Sequence, residues 1–334
     1  MSKRFAIVVL VLVAVMMVTS VVSAQDEEEV VLNYDLGEPA AGELIDVDGR
    51  NVHVWCVGEG ETTVWLENGW YALALNWYPF NTDLAEHTRV CAYDRAGLGW
   101  SEANGDNRSA GQTADEFAAL IDTMGEEPFV LASWSCGAYT SQIYAAQHPE
   151  MVLGMVLFEG CPADYSPWAI ETFPDQYMQD SVIGWLDYMY TDYVPRGVAG
   201  ELTVEEMGGW GREVVAEEFG DAYLNLFTSP EYYRTTYWET FYGESGVSGA
   251  QVKAAVQVTD IPMKVIISSQ GSTDDLSVYR QARDRMWQAM QYAQAALSTN
   301  SEVIWADTSH NVHRDDPELV INAILDVLSM VNGE

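Results

Sequence analysis

The segment EPFVLASWSCGAYTSQIYAAQHPE, residues 127–150, constrains the fold more than any other part of the chain. A short apolar run, Phe129–Ala132, passes through small and polar residues into a helical pattern that stops at His148-Pro149. The run reads as a buried strand, and a strand that feeds directly into a helix belongs in a sheet with helices on its faces.

The rest of the chain repeats this rhythm. Residues 44–57 alternate about an Asp-Gly turn and predict a hairpin. Within 62–70 a strand ending in a Gly loop is expected, within 89–102 a strand followed by a glycine-rich turn, and further strands at 127–135, 151–160, 261–269 and 301–310. Helices are expected within 72–86 and at 114–124, 136–148, 278–297 and 317–331. An opening hairpin followed by alternating strands and helices implies a mostly parallel α/β sheet covered on both faces. The core is expected to comprise 43–161 and 258–334. Between them, 162–257 breaks the rhythm and reads as a helical insertion over the sheet, a lid. It carries 18 aromatic residues. Most of these are expected to glue the insertion down, and a few to line a pocket.

The first 24 residues stand apart. Lys3 and Arg4 precede an apolar stretch, Phe5–Val18, and Val22-Ser23-Ala24 offers a cleavage site, so 1–24 reads as a signal peptide. An uncleaved membrane anchor is the alternative reading of the same stretch. Residues 25–42 form a polar leader. After cleavage the protein is expected to be secreted or periplasmic, with no membrane contact. The chain holds 51 acidic against 15 basic residues, a surface that repels phosphate backbones and excludes nucleic-acid partners. Four cysteines without CxxC or Cys/His spacing suggest neither a metal site nor a cofactor.

Two serines sit at the strand–helix join, Ser133 and Ser135. A nucleophile there occupies a strained turn whose flanks, two residues before and after, are crowded by backbone. Ser135 has Ser133 and Gly137 as flanks, both small, whereas Ser133 would have Leu131 and Ser135. Ser135 is therefore the candidate, at the N-terminus of the following helix. From the turn alone, a plain N-cap serine is an equal reading.

In its surroundings the segment resembles the α/β-hydrolase family. The matching pieces are LENGW, YDRAGLGWS, the Ser133–Gly137 elbow and SHNVHRDDPELV, in the family's order. The resemblance implies a catalytic base at His310, in the pattern His-x-Val-x-x-Asp-x-Pro-Glu, with His313 its exposed neighbour. His53, His87 and His148 read as structural. For the acid, Glu159 at the end of strand 151–160 is preferred. It lies 24 residues after Ser135, a spacing similar to that of haloalkane dehalogenases. Asp274 and Asp275 in SSQGSTDDL, and Asp164, stay open as alternatives. The oxyanion-hole amides fall on Trp70 and Cys136, with Asn68 standing where the family commonly has histidine. Trp134 and Trp168 are expected in the substrate pocket, and Asp94 and Arg95 are expected to hold the turn beside the site.

The family's sheet order would make Cys56 and Cys91 neighbours, and Cys136 and Cys161 flank the nucleophile and the acid. A disulfide in either pair and buried free thiols are both open.

These readings together predict an esterase-like serine hydrolase acting on a small ester with an apolar group. The alternatives are an aminopeptidase or amidase on the same core and a non-catalytic binding protein of this fold. A cofactor-free perhydrolase would use the same residues. Epoxide hydrolases and dehalogenases of the family use an Asp nucleophile, and this elbow offers serine.

Overall fold

The computed structural model describes residues 36–177, 184–193, 195–196, 199, 201, 212–270 and 277–333. They belong to the larger of two units into which the chain divides, Leu36–Glu334. The expected signal peptide, the leader up to Asp35, and the alternative acids Asp274 and Asp275 lie outside the described residues.

Eight strands form one sheet: β1 (Glu43–Val47), β2 (Arg50–Val57), β3 (Val64–Glu67), β4 (Val90–Tyr93), β5 (Phe129–Trp134), β6 (Val152–Phe158), β7 (Met263–Ser268) and β8 (Ser301–Ala306). Their order is β1-β2-β4-β3-β5-β6-β7-β8. The hairpin pairs antiparallel with itself and with β4, and from β4 to β8 every pairing is parallel. All residues of β3, β4, β5 and β7 are buried, as strands covered on both faces must be.

Helices α1 (Ala110–Met124) and α2 (Gly137–Gln147) lie on one face. There Phe117, Tyr144, Leu131, Leu157 and Val265 belong to one buried cluster. The C-terminal helix, Pro317–Asn332, packs on the other face, where Ile324 and Val327 join Leu66, Ala132 and Phe158. Truncating a fully buried ring such as Phe129 would cost about 3–5 kcal/mol, because lost burial and a residual cavity add. Pro317 begins this helix and Asp316 caps it, accepting from the Leu319 N–H at 3.1 Å.

Within 162–257 the described residues form helices and loops. The principal helices are α3 (Tyr165–Thr172), α4 (Arg212–Asn225), α5 (Pro230–Glu244) and α6 (Val247–Ala255). Many of the aromatics do glue this region down: Tyr223, Phe227, Tyr232 and Tyr233 are buried with Leu73, Leu98 and Trp100 of the core. Three further helices lie towards the C-terminus, α7 (Val278–Gln294), α8 (Val312–Asp315) and α9 (Pro317–Asn332). Among the described residues, no helix is long and apolar enough to cross a membrane.

Candidate active site

Strand β5 ends at Trp134, and the next residue, Ser135, has φ 54°, a left-handed conformation that a side chain disfavours. The turn is tight because α2 begins only two residues later. A Cβ on Gly137 would lie 2.3 Å from the Asn68 carbonyl oxygen and 2.7 Å from that of Glu67, so only glycine lets the helix approach that loop. The two serines part here. Ser133 is fully buried, its Oγ 2.6 Å from the Ser141 Oγ of α2. Ser135 is half-buried and lines a cavity.

The loop after β8 brings His310 to Ser135, with Nε2 2.9 Å from Oγ. Its other ring nitrogen, Nδ1, is 3.0 Å from Glu159 Oε2. Glu159 follows β6 with φ 51°, a second strained turn beside the first. It is 4% exposed, so its oxygens need partners. The backbone N–H of Ser268 donates to Oε1 at 2.7 Å and the Trp287 indole to Oε2 at 3.1 Å. The Gln291 amide reaches Oε1 at 3.0 Å when its nitrogen faces the carboxyl group, the orientation its surroundings favour. The ring of His310 is steadied from its own backbone, whose carbonyl accepts from the Trp134 indole at 2.9 Å.

The cavity over Ser135 is about 90 Å³ and is lined by Gly69, Trp70, Tyr71, Trp134 and His310 among others. A chamber of about 500 Å³ shares Asn76, His313 and Arg314 with it. Among the described residues, neither the Trp70 nor the Cys136 backbone N–H donates to a protein acceptor. The two loops touch at this point, since a Cβ on Gly69 would lie 3.0 Å from Ser135 Cβ. A nucleophile, an ordered imidazole, a carboxyl group and two open amides at one turn suit acyl transfer.

The chain matches the alpha/beta hydrolase fold family over residues 62–313, most of its length. It belongs to that family. The uncharacterized protein YqjL of Bacillus subtilis (strain 168) is 23% identical over 272 residues, 81% of this chain and 85% of that protein. An enol-lactonase from Burkholderia xenovorans LB400 superposes with TM-score 0.55 at 18% identity, covering 86% of this chain and 99% of that one. The epoxide hydrolase CorEH superposes with TM-score 0.61 at 18% identity, covering 86% and 98%.

In this α/β-hydrolase, Arg95 joins the loops beside Ser135 to helix α5. Its guanidinium donates to the Asn68 and Gly69 carbonyls at 2.9 and 2.7 Å. It also meets Glu67 at 3.0 Å and Glu239 of α5 at 2.6 Å. Glu239 in turn accepts from the Tyr71 N–H at 2.7 Å. Asp94 accepts from the Ala74 N–H at 2.6 Å and pairs with His53 Nδ1 at 2.6 Å. Burial alone would depress the His53 value, but Asp94 and the Ala41 carbonyl together outweigh it and raise it. Asp94, Arg95 and His53 are thus scaffolding around the turn.

Two expectations are corrected. His313 is 3% exposed, not a surface residue. Its short helix α8 turns it inward among Trp77, Phe80, Trp134 and Phe158. Burial, with Arg314 and His310 adding positive charge, holds its pKa well below the ordinary value. Trp168 packs on Tyr165 and Phe173 and does not line the cavity over Ser135, whereas Trp134 does. Asp164 is exposed and pairs with Lys253, so it does not meet His310.

Both cysteine pairs are disulfides, Cys56–Cys91 and Cys136–Cys161, with Cα–Cα separations of 4.1 and 4.6 Å. Cys56 and Cys91 face each other across β2 and β4. Among the described residues, no three His, Cys, Asp or Glu side chains gather as a metal site. Reading the sequence missed Trp287, Gln291, the Ser268 amide and Glu239. None of them carries a local signal, since each acquires its role from an element distant in sequence.

Proposed function

We propose that this α/β-hydrolase is a serine hydrolase that cleaves a carboxylic ester carrying an apolar group, through an acyl-enzyme on Ser135. The observation that carries the reading is the continuous relay Ser135–His310–Glu159, with contacts of 2.9 and 3.0 Å. In the first half-reaction Ser135 Oγ attacks the ester carbonyl carbon while His310 Nε2 takes its proton. Glu159 accepts from His310 Nδ1–H, which fixes the tautomer and stabilises the imidazolium. The carbonyl oxygen gathers negative charge between the Trp70 and Cys136 amides, where each donor is worth about 10²–10³ in rate. His310 then returns the proton to the departing alkoxide oxygen. In the second half a water attacks the acyl carbon, gives its proton to His310, and the acid leaves as Ser135 recovers that proton.

Trp70, Trp134 and Ala72 give the cavity aromatic and aliphatic walls, which supports an apolar substrate group. The enol-lactonase neighbour is consistent with ester chemistry, because a lactone is a cyclic ester. Epoxide opening is disfavoured, since epoxide hydrolases of the family use Asp where this chain has Ser135. The proposal extends to export: residues 1–24 read as a signal peptide, and two disulfides suit an oxidising compartment.

The test is labelling by a fluorophosphonate probe, mapped by peptide mass spectrometry, followed by panels of acyl esters, aminoacyl amides and epoxides. Label on Ser135 that disappears in S135A and falls in H310A, with turnover of esters, is the expected result. An unlabelled folded protein would overturn the reading, and faster turnover of amides or epoxides would redirect it.

A further inference from the structure

The Cys136–Cys161 bridge occupies an unusual place. Cys136 directly follows Ser135 and carries one of the two open amides, and Cys161 lies two residues beyond Glu159. The bond therefore clamps the nucleophile's turn to the acid's turn. Both turns put a side-chain-bearing residue at positive φ, 54° for Ser135 and 51° for Glu159. Each such residue opposes its own conformation and persists only where its surroundings over-determine it.

The surroundings do so by lacing residues 135–139 to 158–162. The Ser135 N–H donates to the Phe158 carbonyl at 3.2 Å, and the Cys161 N–H returns to the Ser135 carbonyl at 3.0 Å. The Tyr139 hydroxyl donates to the Pro162 carbonyl at 3.1 Å, and Gln294 of α7 donates to the Cys161 carbonyl at 3.0 Å. Gly160 faces Ala138, so closely that a Cβ there would lie 3.0 Å from the alanine's. The disulfide is the one covalent tie in this lacing. The other bridge, Cys56–Cys91, joins β2 and β4, two strands that are already hydrogen-bonded to each other, and is not part of this lacing.

We infer that the Cys136–Cys161 disulfide is a positioning device for catalysis, holding the Cys136 amide and the Ser135–Glu159 geometry at the reacting carbonyl. The Cys56–Cys91 disulfide serves stability alone. The inference rests on the serine-hydrolase reading. Substituting Cys136 by alanine keeps its backbone N–H, so any loss reports on where that amide points and not on its removal. Misplacing a catalytic group by about an ångström costs on the order of 10²-fold in rate.

The experiment compares two variants, C136A/C161A and C56A/C91A. It reads kcat, KM, the rate of fluorophosphonate labelling at Ser135 and the thermal midpoint. For C136A/C161A, kcat and labelling rate are expected to fall about 10- to 100-fold with KM within about twofold. For C56A/C91A, the midpoint falls and kcat stays within about twofold.

Equal losses of kcat in both variants, or an unchanged kcat in C136A/C161A, would overturn the inference. A wild-type protein without label at Ser135 would instead sink the serine-hydrolase reading beneath it. If C136A/C161A does not fold, C56A/C91A supplies the same test, since it keeps only the bridge in question. A phosphine reductant converts that bridge to two thiols and becomes the phosphine oxide, with water supplying the oxygen and both protons. Labelling that slows in step with thiol release upholds the inference, and labelling that stays constant after full release overturns it.

Discussion

Arg95 and Glu239 are 144 residues apart in sequence, yet the guanidinium Nε lies 2.6 Å from Glu239 Oε1 in a site shielded from water. The pair ties the loop that carries Trp70 to helix α5. Without Glu239 the buried Arg95 keeps Glu67 and the Asn68 and Gly69 carbonyls but loses its shortest carboxylate contact. Glu239→Gln is therefore expected to lower stability by about 3 kcal/mol, measured by urea unfolding. Because Glu239 also holds the Tyr71 N–H, kcat is expected to fall about tenfold in the same variant. Full activity at full stability would show that the loop is held without α5.

The two elbow serines are expected to separate cleanly. Ser135→Ala removes the fluorophosphonate label and lowers ester turnover by about 10⁴-fold or more. Ser133→Ala keeps the label, because that hydroxyl faces Ser141 of α2 and not the cavity. Its cost is about 1 kcal/mol of stability, from a buried hydrogen bond left half-made. Peptide mapping of the labelled residue decides between them.

The acid is tested by charge removal at constant shape. Glu159→Gln is expected to lower kcat by about 10³- to 10⁴-fold, since it no longer holds the His310 tautomer. Trp287→Phe, which deletes one of that carboxyl group's donors, is expected to cost about tenfold. Asp164→Asn, Asp274→Asn and Asp275→Asn stay within about twofold of the parent. A large loss in one of these three with activity kept in Glu159→Gln would reassign the acid.

Burial raises Glu67 from an ordinary 4.5 to about 7, and the nearby Arg95 offsets only part of this. Between these values the folded chain holds a proton that the unfolded chain has released. Its contribution is fully present below about pH 4.5, is lost as pH rises to about 7, and is level above that. Glu67→Gln is expected to remove this fall. Urea midpoints of parent and variant from pH 4.5 to pH 8 measure it, and parallel curves would refute it.

His313 acts in the opposite sense. Its folded pKa is depressed well below the ordinary 6.5, so acid protonates the unfolded chain first. The stability it confers is present above about pH 6.5 and is lost as pH falls below that value. His313→Phe keeps a ring in the aromatic nest and is expected to flatten this acid limb, read from thermal midpoints between pH 5 and pH 7.5. An unchanged limb would place the titration elsewhere.

Much of this protein follows from local pattern. The strand runs of 127–135 and 261–269, the helix that stops at His148-Pro149, and the glycine two residues past Ser135 are short-range signals. Near-neighbour sterics and hydrophobic periodicity suffice to read them. The strand–helix alternation, together with the family resemblance, led to the sheet and its faces. The sequence likewise brought Ser135, Glu159 and His310 forward as candidates, but left several acids open beside Glu159.

Tertiary structure decided what depends on meeting across distance. It buried Glu159 against Ser268 and Trp287 and exposed Asp164 beside Lys253. It turned His313 inward although His-Arg-Asp-Asp reads as a surface run, because α8 packs its ring between Trp77 and Trp134. It kept Trp168 away from the cavity, brought Glu239 of α5 to Arg95, and joined cysteines that sequence could leave free. The physical reason is common to all of these. Burial and ion pairing are properties of neighbours in space, and a linear pattern specifies only neighbours along the chain.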